Sequence, residues 1–152
     1  MPLRIALYQP EIPQNTGTIL RLAACMGVGV DLIEPLGFIW NHPNFKRAVM
    51  DYLPHVDLVR HVDFEAFLLS KQKTGGRIIP VVVSGETSVF DFTFQDNDTI
   101  LFGKESIGIP FELIEGYPSL TIPMPGRGRS LNLAIATTMV TTEAMRQLVF
   151  KK

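Results

Sequence analysis

Residues 3–33, LRIALYQPEIPQNTGTILRLAACMGVGVDLI, contain two apolar runs with a helical pattern between them. The stretch opens with a nearly continuous apolar run, Leu3–Tyr8, and closes with a second, Val30–Ile33. Between them, Thr16–Met26 places apolar residues at the three- and four-residue spacing of a helix with one buried face. Strands that read as continuous apolar runs are typically buried on both faces, as in a parallel sheet covered by helices. The stretch therefore predicts a β-α-β unit.

The same alternation continues to the end of the chain. Further strands are predicted at Val56–Val59, Arg77–Val83, Thr99–Phe102 and Leu120–Ile122, and further helices at Phe45–Asp51, Phe64–Lys71, Phe111–Glu115 and Leu131–Phe150. This order predicts an α/β fold of three layers, a parallel sheet with helices on both faces. A length of 152 residues without a repeat or linker favours one domain over residues 1–152. Pro80 predicts an edge strand or a strand start, because proline cannot donate to a central ladder.

Composition excludes several classes of protein. Hydrophobic residues make up 46% and charged residues 19% of the chain, as in a packed globular protein, and the net charge of −1 gives no overall basic field. A local basic face remains open. The single cysteine, Cys25, excludes an internal disulfide and suits a cytoplasmic protein, and its apolar neighbours predict that it packs in the core. No uncharged apolar run approaches the roughly 20 residues that span a bilayer, so no membrane partner is expected.

Familiar phosphate and metal motifs are missing from the sequence. Neither GxGxxG after the first strand nor GxxxxGK[ST] occurs. The three histidines, His42, His55 and His61, lack metal-ligand spacing and stand in polar segments that predict surface positions. We therefore expect no metal site.

Polar, glycine-containing segments follow three of the predicted strands. They are QPEIPQNTG after the first strand, GKESIGIP after the fifth and PMPGRGRS after the sixth. Ligands of open parallel sheets bind beyond the carboxyl ends of the strands, so these segments predict one shared pocket.

Each segment by itself allows two interpretations. Asn15 is a candidate N-cap, and Arg21 lies either at the margin of a cleft or simply in solvent. Glu105 either accepts hydrogen bonds from a ligand or caps its turn. Ser130 is placed to cap the last helix, where Arg127 would favour an anionic partner or lie on an ordinary surface.

Together the three segments resemble the signature motifs of the SPOUT class of RNA methyltransferases. The first, N-x-G-x-x-x-R, is carried by Asn15, Gly17 and Arg21; the second, F-G-x-E-x-x-G-I-P, by Phe102–Pro110; the third, R-S-L-N-L, by Arg129–Leu133. The segments LYQPEIPQNTG, LIEPLGF, KRAVMDY, RHVDFEAF and TTEAMRQL extend the likeness over nearly the whole chain. They resemble the YibK-like branch, single-domain enzymes that methylate the ribose of the tRNA wobble nucleotide.

The resemblance implies a fold, a cofactor and a partner. The fold would be a parallel α/β sheet whose C-terminal segment forms a deep trefoil knot, in a cytoplasmic homodimer that binds tRNA. The cofactor would be S-adenosylmethionine, with S-adenosylhomocysteine as the product. The reaction would move a methyl group to the 2′-hydroxyl of the wobble cytidine or modified uridine, and the resemblance implies leucine tRNAs as its substrates.

The resemblance also implies roles for individual residues. Cofactor contacts would come from Val81, Gly103, Glu105, Ile122, Ser130, Leu131 and Asn132. Arg21 would act at the reacting hydroxyl with Asn15 and Asn132 beside it; since arginine stays protonated, Arg21 would orient the phosphate and hydroxyl rather than act as a free base. Candidate contacts to the RNA backbone are Lys46, Arg47, Arg127 and Arg129.

Two positions depart from the family pattern. Ala134 and Ile135 stand where Ser-Asn often follows SLNL, and Thr142 stands where the family tends to carry a tyrosine. Two alternatives therefore stay open. One is methylation of another tRNA or ribosomal RNA ribose, and the other is a catalytically silent RNA-binding module.

Overall fold

One seven-stranded sheet runs through the computed structural model, which describes residues 3–151. The strands are β1 (Arg4–Tyr8), β2 (Gly29–Ile33), β3 (Leu58–His61), β4 (Ile78–Val81), β5 (Thr87–Ser88), β6 (Thr99–Phe102) and β7 (Leu120–Thr121). The helices are α1 (Pro13–Met26), α2 (Pro43–Val49), α3 (Phe64–Thr74), α4 (Phe111–Ile114) and α5 (Leu133–Leu148). The strand order is β3-β2-β1-β6-β4-β7-β5, and every pairing between these strands is parallel. Residues 1, 2 and 152 of the predicted domain lie outside the described residues.

Helices cover both faces of the sheet, as predicted. In β1, Ile5 and Leu7 belong to a buried cluster that includes residues of α1, α2 and α5. The intervening Ala6 and Tyr8 belong to a second cluster with residues of α3 and α4. Successive side chains of a strand point to opposite faces, so this division places α1, α2 and α5 in one outer layer and α3 and α4 in the other.

Helix α1 begins two residues before the predicted cap. Its N-cap is Ile12, and Pro13 occupies the first turn, where the fixed φ of proline suits a helix and its missing N–H costs nothing. The helix ends at Gly27, whose φ of 67° is the left-handed conformation typical of a C-terminal glycine. Asn15 therefore lies inside the first turn, and the prediction that it caps the helix was wrong.

Helix α5 is capped by Asn132 rather than by Ser130. The Oδ1 atom of Asn132 accepts hydrogen bonds from the backbone N–H groups of Ala134, at 2.8 Å, and Ile135, at 3.2 Å. The helix accordingly starts at Leu133. Ser130 lies in the exposed loop before it, too far along the chain to reach these amides.

Pro80 lies inside the sheet, which contradicts the predicted edge or strand start. It is the third residue of β4, between β6 and β7. The carbonyl of Arg77 accepts from Thr99 of β6, whereas the N–H of Val82 donates to Leu120 of β7. Because backbone groups alternate along a strand, the nitrogen of Pro80 faces β7, whose pairing with β4 begins only at Val81. The sheet therefore loses no ladder bond at Pro80.

The sheet edges were predicted less well than its centre. Strand β3 starts at Leu58, later than predicted, because residues Leu53–His55 form a 3-10 turn before it. Strand β5 was missed, since two residues are too few to show a pattern.

A buried ionic cluster joins β1, β2, β3 and α3. Asp31 of β2, with a side chain only 2% exposed, accepts from Arg4 Nε at 2.8 Å, His61 Nε2 at 2.8 Å and Lys71 Nζ at 2.9 Å. We call these four residues the Asp31 cluster. Burial of its carboxyl would raise the pKa of Asp31, but the hydrogen bonds from Arg4, His61 and Lys71 outweigh burial and lower it. The predicted surface position of His61 was therefore wrong.

The C-terminal end of α1 is open to solvent. Cys25 is exposed, so the prediction that it packs in the core was wrong. Met26 beside it is 40% exposed. Between residues 3 and 151, no helix has the length and apolarity needed to cross a bilayer.

Candidate active site

The polar segments after the strands meet at one edge of the sheet, where they line a cleft of about 970 Å³. Its walls come from the residues that follow β4, β6 and β7 and from the start of α1. Parallel strands end at the same edge, so the pocket inferred from three separate segments is a consequence of the topology.

Glu105 ties the loop after β6 to the start of α1. Its Oε1 accepts from the backbone N–H of Glu11 at 2.8 Å, and its Oε2 accepts from the N–H of Ile12 at 2.9 Å. The Nδ2 of Asn15 also donates to Oε2, at 3.2 Å. We call these four residues the Glu105 cluster. The carboxylate thus satisfies amides at a helix start, where a negative charge is stabilising.

A further hydrogen bond joins the same two segments, this time with the acceptor on the segment before α1. The N–H of Ser106 donates to Oε1 of Glu11 at 2.8 Å. Hydrogen bonding from the side chain of Ser106 and then from its backbone lowers the pKa of Glu11. Glu11 and Glu105 therefore each receive a backbone N–H from the other's segment. The two loops are held as one rigid wall of the cleft.

Asn15 and Asn132 extend the connection to the third segment. The Nδ2 of Asn132 donates to Oδ1 of Asn15 at 3.0 Å, while Oδ1 of Asn132 caps α5. A continuous chain of side-chain hydrogen bonds therefore runs from Glu105 through Asn15 to Asn132. It joins one residue from each of the three sequence motifs.

Glycine is required where the second segment turns back on itself. The backbones of Lys104 and Gly108 exchange two hydrogen bonds, at 3.1 and 2.9 Å. A Cβ atom on Gly103 would collide with the backbone of Gly108, which itself has a φ of 72°. Any larger residue at Gly103 would push the loop into or away from the cleft.

The residues predicted to contact a cofactor all line this cleft. They are Val81, Gly103, Glu105, Ile122, Ser130, Leu131 and Asn132. Val81 and Ile122 contribute apolar surface at strand ends, and Ser130 and Leu131 form an exposed rim. The oxygens of Glu105 already bind protein N–H groups, so its part is to shape the wall.

Arg21 does not line the cleft. It lies two turns into α1 and borders a second cavity of about 580 Å³ between α1, α2 and the loop before α2. Its guanidinium is stacked over Tyr52, with 5.1 Å between Cζ and the ring centroid. Asn15 lines the cleft and Arg21 does not, so the structure separates two of the residues predicted to act together.

The basic residues predicted to contact RNA occupy two exposed places. Lys46 and Arg47 project from α2 beside the second cavity, and Arg127 and Arg129 stand on the loop between β7 and α5. None of these four side chains takes part in an ion pair with another described residue. Each pair is therefore free to meet phosphates.

Several cleft residues escaped the sequence analysis. They include Glu86, Lys104, Ser106, Tyr117 and Met124. Lys104 and Ser106 belong to the GKESIGIP segment, so attention to every side chain of that segment would have found them. Glu86 and Tyr117 follow no motif, and only the fold brings them to the cleft. Across residues 3–151, His, Cys, Asp and Glu nowhere form a group of three suited to hold a metal ion.

The fold and cleft define a class of α/β protein that binds its ligand beyond the ends of parallel strands. The profile of the SpoU rRNA Methylase family matches residues 2–142. The chain belongs to this family.

Individual relatives are similar over almost the entire chain. A protein of Beijerinckia indica subsp. indica named tRNA (cytidine(34)-2′-O)-methyltransferase is 46% identical over 146 residues, covering 95% of this chain and 91% of its own. A structure solved in work on the 2-OH methylation of C/U34 on tRNA is 48% identical, with a TM-score of 0.92 and coverage of 98% and 97%. An AdoMet-bound rRNA methyltransferase from Sinorhizobium meliloti is 28% identical, with a TM-score of 0.87, and covers 97% of this chain with 57% of its own.

Proposed function

We propose that this protein methylates the ribose 2′-hydroxyl of the wobble nucleotide of tRNA, cytidine or modified uridine, with leucine tRNAs as substrates. The observation that carries the proposal is the hydrogen-bonded chain Glu105–Asn15–Asn132, which assembles all three motifs around one cleft. The Beijerinckia indica relative supports the wobble position by its name, and the neighbour at 48% identity by the reaction studied with it.

S-adenosylmethionine is the proposed cofactor, and the cleft suits it. A volume of about 970 Å³, apolar walls and a few polar groups match the chemistry of a nucleoside joined to an amino acid. Val81, Ile122 and Leu131 would enclose its apolar parts, and Gly103, Ser130 and Asn132 would offer close backbone approach and hydrogen bonds. The bound cofactor supplies an electrophilic sulfonium methyl group. An AdoMet-bound structure of a relative in the same fold supports this choice.

Arg21 is the proposed catalytic residue, held near the 2′-hydroxyl and its phosphate. Its guanidinium remains protonated, so its role is to orient these groups and to stabilise negative charge as the hydroxyl loses its proton. Asn15 and Asn132 keep the adjoining wall of the cleft in place. The placement of Arg21 outside the cleft of its own chain leads us to propose that it serves the cleft of a second copy.

A homodimer would bring these parts together. Helix α5 carries exposed apolar side chains at Ile135 and Met139, which are 52% and 40% exposed, one turn apart on one face. Met26 of α1, 40% exposed, adds to the apolar surface of the same helical layer. Apolar patches of this kind favour association. We propose that a second copy covers them, with Lys46, Arg47, Arg127 and Arg129 contacting the tRNA backbone.

We further propose one methyltransferase domain over residues 1–152, in the cytoplasm, with a deep C-terminal trefoil knot. The strand order supports the knot. Strand β7 pairs with β4 on one side and β5 on the other, although only residues 82–86 connect those two strands. A Cβ on Gly85 would collide with the backbone of Leu120, so the connection crosses β7 closely.

Transfer of labelled methyl from S-adenosylmethionine into leucine tRNA, followed by nuclease mapping, tests the function. We expect label at the wobble nucleotide and none in a tRNA whose wobble ribose is 2′-deoxy. Label elsewhere would indicate a different ribose as the substrate. Cofactor and tRNA binding without transfer to fully modified bulk tRNA would indicate a silent binding module.

Mixed dimers test the placement of Arg21. We expect Arg21→Ala to abolish methyl transfer while calorimetry still shows cofactor binding. Arg60→Ala is the control, because Arg60 stacks on Trp40 at 4.8 Å, outside both cavities.

A second inactive variant, Leu131→Trp, would block the cleft. If each active site combines two copies, random mixing of the two inactive variants restores about a quarter of wild-type activity, since half the dimers hold one intact site. Absence of recovery in mixed dimers would contradict the proposal that Arg21 serves the cleft of a second copy.

A further inference from the structure

The second cavity, beside Arg21, has the composition of a small-ligand site. It measures about 580 Å³, within the range of pockets that hold small molecules. Its lining includes the aromatic side chains of Phe38 and Tyr52 and the polar side chains of His42 and Asn44. No part of the cofactor cleft is shared with it except the helix α1 that separates them.

Aromatic packing keeps this cavity open. The rings of Phe38 and Phe45 lie 5.0 Å apart, which fixes the loop before α2 against that helix. Tyr52 is half-buried and supports the guanidinium of Arg21. Gly17 is also part of the lining, and a Cβ there would lie 3.5 Å from Val49, so α1 and α2 pack closely at this point.

The polar side chains of the lining offer hydrogen-bonding groups that a flat heterocycle can use. Nδ1 of His42 accepts from the N–H of Asn44 at 3.2 Å, so a neutral His42 ring carries its proton on Nε2 and is a donor there. Within residues 3–151, neither this Nε2 nor the side-chain amide of Asn44 has a hydrogen-bond partner. Cytosine and uracil share a carbonyl acceptor at C2. At C4, cytosine carries an amino donor and uracil a carbonyl acceptor. The side-chain amide of Asn44 has both a donor and an acceptor, so a half-turn of the amide lets it pair with either base.

We propose that the second cavity receives the pyrimidine base of the nucleotide that is methylated. The proposal rests on the proposed function, because it takes Arg21 as the residue at the reacting ribose. A base is bonded to that same ribose, so the cavity that Arg21 borders is where the base would lie once the nucleotide is turned out of its stack. Aromatic walls and a few edge-reading polar groups are how proteins hold an unstacked base.

Filling the cavity tests the proposal at the level of binding. Ala48 lines the cavity on the exposed side of α2, and Met50, 62% exposed at the end of that helix, does not. An anticodon stem-loop with the fluorescent base pyrrolocytosine at the wobble position is bound in the presence of S-adenosylhomocysteine. We expect a fluorescence change with wild type and Met50→Phe that Ala48→Phe abolishes at equal melting temperature. No change with wild type, or the same change with Ala48→Phe, would overturn the proposal.

A kinetic comparison tests base binding in the second cavity separately from the proposed methylation of the wobble ribose. With cytidine at the wobble position, Ala48→Phe should lower kcat/KM by about tenfold or more, within the range that one stacked base contributes. With an abasic ribonucleotide there, the variant and wild type should differ by less than about twofold, because no base remains to be excluded. Equal losses of kcat/KM on both substrates would refute the proposal that the base binds in the second cavity. Absence of wobble methylation by wild type alongside the fluorescence result would refute the reaction and leave the base site standing.

Discussion

Two carboxylates, Glu105 and Asp31, each accept three hydrogen bonds, yet they serve different parts of the molecule. Glu105 stands in the loop after β6 and accepts from two backbone amides and one asparagine. Asp31 stands within β2, almost fully buried, and accepts from an arginine, a histidine and a lysine. The first holds loops beside the cleft, whereas the second holds the sheet to α3.

The difference shows how position in a parallel sheet assigns a task to a carboxylate. Beyond the end of a strand, Glu105 fixes segments that would otherwise move and that a ligand must touch. Within a strand, Asp31 is far from solvent, and its charge is tolerated only because cations surround it. We therefore expect loss of Asp31 to affect folding first and loss of Glu105 to affect function first.

Asp31→Asn should give the largest loss of stability. It would leave buried cationic groups without their counter-charge, at a cost of about 3 kcal/mol in the free energy of unfolding. Urea unfolding measures this change. Asp57→Asn is the matched control, because Asp57 also pairs with Arg4 but its side chain is 75% exposed, so its loss should cost under about 1 kcal/mol. Equal costs for the two variants would contradict the distinction between buried and exposed partners.

Glu105→Gln should cost less stability but more activity. Part of the carboxylate's bonding to Glu11, Ile12 and Asn15 would be lost, at about 1–2 kcal/mol. Methyl transfer should fall by about 100-fold, since the wall that positions the reactants would loosen. Steady-state kinetics and cofactor calorimetry measure this effect, with Glu112→Gln on the exposed side of α4 as the control. Wild-type activity in a destabilised Glu105→Gln protein would reduce Glu105 to a structural role.

Acid should remove the contribution of the Asp31 cluster to the free energy of unfolding. The pKa of Asp31 is lowered in the folded protein, so its stabilising contribution is complete above the unfolded value of about 3.9 and is lost as the pH falls through the lower folded value. Urea unfolding measured from neutral pH to well below pH 4 should therefore show a smaller acid loss of stability in Asp31→Asn than in wild type, and the difference should develop below about pH 4. Parallel curves for both proteins would show that Asp31 titrates normally.

Thr142→Tyr should have the smallest effect, because Thr142 belongs to neither cluster. Its hydroxyl donates only to the carbonyl of Thr138 within α5, at 2.7 Å, and the residue is exposed. We expect a stability change within about 0.5 kcal/mol. Transfer rates should be similar with either residue if threonine is sufficient for catalysis here. A large gain with tyrosine would show that the departure from the family pattern limits this enzyme.

The layers of the fold and the place of the cleft were predictable from the sequence. Continuous apolar runs mark strands buried on both faces, and helical spacing marks their covering, because burial imposes a period on the side chains. The convergence of the segments after β1, β6 and β7 follows from this, since parallel strands end at one edge. Asn15 and Glu105 stand in those segments, and Asn132 was found through the R-S-L-N-L motif that begins at the end of the third.

The remaining features depend on long-range contacts that no local pattern predicts. The insertion of β7 between β4 and β5, the burial of His61 beside Asp31 and the separation of Arg21 from the cleft all depend on contacts between residues far apart in the chain. A local pattern records whether a side chain is buried, but it does not record which distant partner buries it. For that reason the Asp31 cluster and the second cavity, each built from several elements, left no signal in the sequence.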